Sequence, residues 1–120
     1  MIVPSKELLG EVLGQHIEIC EISENLLLYS SHHCPDPRYD RKINVYELAH
    51  KLKKFAYSKG YNIYSSINGY AFFGSVYDNI EQYYNTRATT TLDIKTEIDS
   101  IFFSCEWIYK KELTKQKGKE

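Results

Sequence analysis

The stretch Asn44-Val45-Tyr46-Glu47-Leu48-Ala49-His50-Lys51-Leu52-Lys53-Lys54-Phe55-Ala56-Tyr57-Ser58-Lys59-Gly60 decides the fold class. Val45, Leu48, Ala49, Leu52, Phe55 and Ala56 recur at helical spacing and form one continuous apolar stripe on a 3.6-residue repeat. Asn44 followed by Glu47 has the spacing of a capping box. Lys53, Lys54 and Lys59 crowd the far end, where the helix dipole favours cations, and Gly60 supplies a stop. The spacing predicts a helix over 45–58.

Downstream, Asn68-Gly69 stands between two aromatic-rich runs, a strong hairpin signal. Taking those two residues as the loop pairs Ile67 with Tyr70, Ser65 with Phe72, Tyr64 with Phe73 and Ile63 with Gly74. Alternation then puts Tyr61, Ile63, Ile67, Tyr70, Phe72 and Val76 on the core face, with Tyr64 and Phe73 outside. A third strand fits 87–94, with Ala88, Thr90, Leu92 and Ile94 inward. The last helix is predicted over 97–112, capped by Thr96, with Ile98, Ile101, Phe102, Cys105, Ile108 and Tyr109 as its stripe. Residues 113–120 read as a Lys-rich tail.

Upstream, residues 5–13 read as a short helix with Ser5 as N-cap and Gly14 as its stop. Ile17, Ile19 and Ile22 favour a strand, and Leu26 to Ser30 a second one. Between them Ser23-Glu24-Asn25 is expected to form a three-residue turn with Asn25 left-handed. Pro35 and Pro37 mark 31–43 as a linker. The elements run α-β-β-α-β-β-β-α, which predicts an α+β domain over 1–112: a mainly antiparallel sheet with helices on one face. Within it, 1–30 is a helix-plus-hairpin module and 44–112 an αβββα core.

Composition agrees. The 120 residues are 42% apolar, 14% aromatic and 26% charged, which suits one globular domain and excludes disorder. No apolar run approaches the roughly 20 residues a membrane span needs, and the N-terminus lacks a signal-peptide pattern. Three cysteines cannot all pair, so a reducing, cytoplasmic setting is expected. The net charge of −1 is unevenly spread. Residues 1–36 hold six acids and one base, and residues 37–60 seven bases and two acids. Such blocks suit docking within the chain or onto a second copy.

Two stretches carry a resemblance. Ile43-Asn44-Val45-Tyr46-Glu47-Leu48-Ala49-His50-Lys51, followed by Phe55-Ala56 and Gly60, resembles an "ELAHK…WA…G" pattern in small accessory proteins encoded by bacterial prophages. Ile101-Phe102-Phe103-Ser104-Cys105-Glu106-Trp107-Ile108 resembles their closing "AIFKACQWI" helix, and Leu8-Leu9-Gly10-Glu11-Val12-Leu13-Gly14 an opening segment of longer members. Phe55 stands where the pattern has Trp, and Phe103 where it has Lys. The resemblance covers about a third of the chain. It implies a phage or prophage origin and no catalytic residues.

His32, His33, Cys34 and Asp36 are all metal-ligand types, and His16, Cys20, His50 and Cys105 could add to them. Successive side chains of an extended loop point apart, however, and no Cys-x-x-Cys or His-x-x-x-His spacing is present, so no metal or cofactor is expected. Cys34 with His50 as base is the one nucleophile pairing, and it needs the loop folded onto the helix. Cys105 lies in an apolar stripe and reads as core. No glycine-rich phosphate loop or paired-carboxylate motif appears, so enzyme activity is not expected.

Nucleic-acid binding is the rival reading, and it is disfavoured. Gly69-Tyr70-Ala71-Phe72 resembles part of the ribonucleoprotein motif, yet the register above puts Tyr70 and Phe72 under the helices. The αβββα order matches double-stranded-RNA-binding domains, but Glu97 and Asp99 stand where those carry a basic cluster. Protein contact is favoured. At 100° per residue Phe103 and Trp107 lie on the far side of the last helix, and Tyr64 with Phe73 makes a cross-strand aromatic pair. These four are the expected interaction residues, serving a homodimer or other homo-oligomer, or a host protein.

Overall fold

The computed structural model describes residues 3–31, 39–65, 67, 71–75, 84–85 and 96–117; within these, the side chains of 71–75, 84–85 and 115–117 are left aside. The chain is α+β and its strands are antiparallel. In order, the elements are α1 (Lys6–Leu13), β1 (Ile19–Ser23), β2 (Leu26–Ser30), β3 (Arg41–Asn44), α2 (Val45–Ser58), β4 (Tyr61–Ser65), β5 (Ala71–Ser75), β6 (Tyr84–Asn85) and α3 (Glu97–Lys117). The described strands form two three-stranded sheets, ordered β1-β2-β3 and β4-β5-β6.

Local signals set the helix ends. The Leu8 amide donates to Ser5 Oγ at 3.2 Å, and Gly14 closes α1 in the left-handed region at φ 72°. Asn44 Oδ1 accepts from the Tyr46 amide at 2.8 Å. The next orphan donor, the Val45 amide, reaches the Asn25 carbonyl at 2.9 Å, tying the start of α2 to the first hairpin. Gly60, at φ 89°, turns the chain from α2 into β4. Thr96 caps α3 by accepting from the Asp99 amide at 3.1 Å, and the helix runs on to Lys117, past its predicted end at 112.

Four expectations need correction. First, β1 and β2 are joined by Glu24-Asn25 alone, with Ser23 paired to Leu26, and Glu24 rather than Asn25 takes the positive φ of 56°. Second, the end of the supposed linker is a strand: β3 pairs with β2, Ile43 opposite Leu27, which adds an element to the predicted order. One turn of basic sequence, Arg41-Lys42, hid it. Its single core side chain is Ile43, so no alternation was there to read.

Third, the β4–β5 register is slipped by one residue. Tyr64 pairs with Phe72 and Ile63 with Phe73, so that five residues separate the last described pair, Ser65 and Ala71. The Tyr64–Phe73 pairing is therefore replaced by Tyr64–Phe72. A five-residue connection changes which partner stands opposite every residue, and side-chain period alone does not reveal loop length. Fourth, the described strand beside β5 is Tyr84–Asn85, with Tyr84 opposite Phe73. The predicted strand 87–94 lies outside the described residues.

The main core joins α1, the first sheet, α2 and α3. Leu8, Leu9, Leu27, Val45, Leu48, Leu52, Phe102 and Cys105 are fully buried in it. Burying each such aliphatic side chain contributes about 1.5–3 kcal/mol before entropy is counted. A second, smaller cluster forms where α2 ends: Ala56, Tyr61 and Ile108, with Ile63, Phe103 and Trp107 packed against it. Among the described residues, no helix is long and apolar enough to cross a membrane.

Candidate contact surface

Helix α3 packs against α2 on one side and against β4 and β5 on another. Its first half is consequently buried nearly all round, including Asp99, Ser100 and Ser104. The two serines turn their hydroxyls back into the helix. Ser100 Oγ donates to the Glu97 carbonyl and Ser104 Oγ to the Ser100 carbonyl, each at 2.7 Å, so these small residues meet their neighbours without stranded polar atoms.

This arrangement corrects the exposed-patch reading of Phe103 and Trp107. They do leave the main stripe, as 100° per residue requires, but the side they turn to is partly covered. Both are half-buried against Ala56, Tyr61, Ile63 and Ile108. The cover comes from the end of α2 and from β4. The outer edge of Trp107 carries Lys111, whose Nζ lies 4.8 Å from the ring centroid, a cation–π contact. Trp107, Lys110, Lys111 and Thr114 line a shallow open hollow there.

Tyr64 is where the sequence put it. Along β4, Tyr61 is buried, Ile63 packs on both clusters, and Tyr64, the next residue, turns outward, 61% exposed. Ile67, predicted on the core face, is instead 89% exposed in the loop. The side chain of Phe73 lies outside the described residues; its backbone stands opposite Ile63.

Two exposed aromatics escaped the sequence reading. Tyr46 and Tyr57 stand on the outer side of α2, 61% and 67% exposed. The sequence carries the signal, since neither belongs to the Val45–Ala56 stripe. On the other flank of α2, Glu11 and Val12 of α1 share a cleft with Lys51, Lys54 and Phe55. One acid of the N-terminal block, Glu11, thus lies near two bases of α2.

The candidate metal and nucleophile residues His32, His33, Cys34 and Asp36 lie outside the described residues. Their possible helpers are dispersed. His16 Nε2 is 2.8 Å from Glu18 Oε2 at the surface, and His50 is exposed on α2. Cys105 is fully buried, with Sγ 3.5 Å from the Leu52 carbonyl; burial, then the nearby Glu106 charge, push its thiol pKa up. Cys20 is half-buried, and burial raises its pKa too. Among the described residues no three His, Cys, Asp or Glu side chains converge as a metal site would require.

These features define a small α+β protein. No protein-family model, curated protein or solved structure matches the chain.

Proposed function

We propose that this chain is a small, non-enzymatic cytoplasmic protein of phage or prophage type that acts by protein–protein contact, self-associating or docking on a host protein. The observation that carries the reading is the exposure of two large side chains three residues apart, Tyr64 near the end of β4 and the almost fully exposed Ile67. Large apolar side chains exposed at a surface favour a partner that removes them from water, about 25 cal/mol for each Å² covered. The partly exposed Trp107 and Phe103 contribute as well, and Lys111 over the indole supplies the polar rim that surrounds an apolar interface centre.

Sedimentation equilibrium of the whole chain from micromolar to millimolar concentration tests self-association. A concentration-dependent dimer that Tyr64→Ser and Ile67→Ser abolish is the expected result. A chain that stays monomeric moves the reading to a host partner. That reading is then checked by capture on tagged wild-type and Tyr64→Ser protein with nuclease present. Capture of no protein, or equal capture by both, sinks the contact role of this surface.

A further inference from the structure

We infer that the outer flank of α2 is a docking surface for single-stranded nucleic acid, distinct from the Tyr64 surface and independent of the reading above. Tyr46, His50, Lys53 and Tyr57 follow one another at helical spacings of four, three and four residues, which places them along one flank. Tyr46 and Tyr57 are more than half exposed, so each offers a flat ring to solvent. At 1.5 Å per residue they stand about 16 Å apart along the axis, with the imidazole and ammonium between them.

The surrounding charge is mainly positive, with Asp40 and Glu47 as the exposed acids beside it. Lys54, exposed, stands between this flank and the cleft it shares with Glu11, and Arg41 and Lys42 are exposed on β3, the strand that leads straight into the helix. Glu47 is the single acid in α2. Lys53 and Lys54 make no ion pair with any described residue. The chain's net charge of −1 does not cancel this field. Screening confines each charge to about 8–10 Å at physiological salt, so a partner at this flank responds to the local bases.

Bases alone would suit any polyanion. The interleaved rings narrow the choice, because exposed aromatic faces stack on unpaired bases while neighbouring lysines neutralise the phosphates. A duplex hides its base faces, and an acidic peptide has none. The sheet register that weighed against nucleic acid concerned Tyr70 and Phe72, and this helix flank does not involve them.

The test is fluorescence anisotropy of a labelled oligo-dT strand titrated with the whole chain, alongside a labelled duplex and labelled polyglutamate. Saturable binding to the single strand is expected. It should weaken roughly twenty- to fiftyfold between 50 and 200 mM salt if about three to four phosphates are neutralised. Tyr46→Ala with Tyr57→Ala should weaken it at least about tenfold by removing the stacking. Lys53→Glu with Lys54→Glu should flatten the salt dependence. All four residues lie outside the core, and unchanged circular-dichroism melts of both double variants establish that folding is intact. The proposal is overturned by absence of single-strand binding, by equal or tighter binding of duplex or polyglutamate, or by a tyrosine double variant that binds as wild type.

Discussion

The carboxylate of Glu106 on α3 receives both hydrogen-bond donors of Ser5: the backbone amide at 2.6 Å and the side-chain hydroxyl at 2.9 Å. The same hydroxyl accepts from the Leu8 amide, so one side chain starts α1 and fastens it to the last helix. Hydrogen bonds to a charged group are each worth about 1.5–3 kcal/mol when partly shielded from water. Glu106→Ala should therefore lower the unfolding free energy by about 2 kcal/mol in urea titration. Amide exchange of α1 should accelerate more than that of α2. Uniform acceleration across both helices would show that the contact does not anchor α1 specifically.

Trp107 and Tyr64 should separate stability from contact. Trp107 packs on the Ala56–Tyr61–Ile108 cluster, so Trp107→Ala should cost about 2 kcal/mol, less than a fully buried aromatic would. Tyr64→Ser, on the outward side of β4, should stay within about 0.5 kcal/mol of wild type while weakening association. Thermal melts of the two variants beside their sedimentation profiles check both halves. A Trp107→Ala melt equal to wild type would return that residue to the exposed patch the helical wheel suggested.

Glu24 holds φ at 56° in the two-residue β1–β2 turn, a region where an L side chain crowds its own carbonyl and glycine does not. Glu24→Gly should raise stability by about 0.5–1 kcal/mol, the relieved crowding outweighing the flexibility added to the unfolded chain. Glu24→Ala should show no such gain. Urea midpoints of the three proteins at matched m-values decide it.

The buried thiol of Cys105 gives the alkaline side of the stability curve. Its ordinary pKa is 9.0, and burial raises it in the folded chain. Below pH 9 both folded and unfolded chains hold the proton, so stability is unaffected. Above it the unfolded chain releases the proton and the folded chain keeps it, so stability falls as pH rises, by up to about 1.4 kcal/mol per pH unit. Cys20, Tyr39 and Tyr109 are also raised and act in the same direction. Cys105→Ala should thus show a shallower decline between pH 9 and 10.5 than wild type, although it starts from a lower value at neutral pH. Parallel curves would remove Cys105 from the account.

What the amino-acid sequence determined by itself was local. Ser5, Gly14, Asn44, Gly60 and Thr96 end or begin helices through their own side chains or backbone freedom, and all five act as their chemistry predicts. The stripes of α2 and α3 chose the buried faces, because helical period needs only neighbouring residues to express itself. The α+β class followed. Only the tertiary structure decided the rest. It recruited Arg41–Asn44 as a third strand, since pairing with β2 rewards four residues that carry no alternation of their own. It set the β4–β5 register, with Tyr64 opposite Phe72. It also laid α3 between α2 and the second sheet, half-covering Phe103 and Trp107 and leaving Tyr46 and Tyr57 outside. A helical wheel shows which residues share a side; what stands opposite that side depends on contacts between residues distant in the chain.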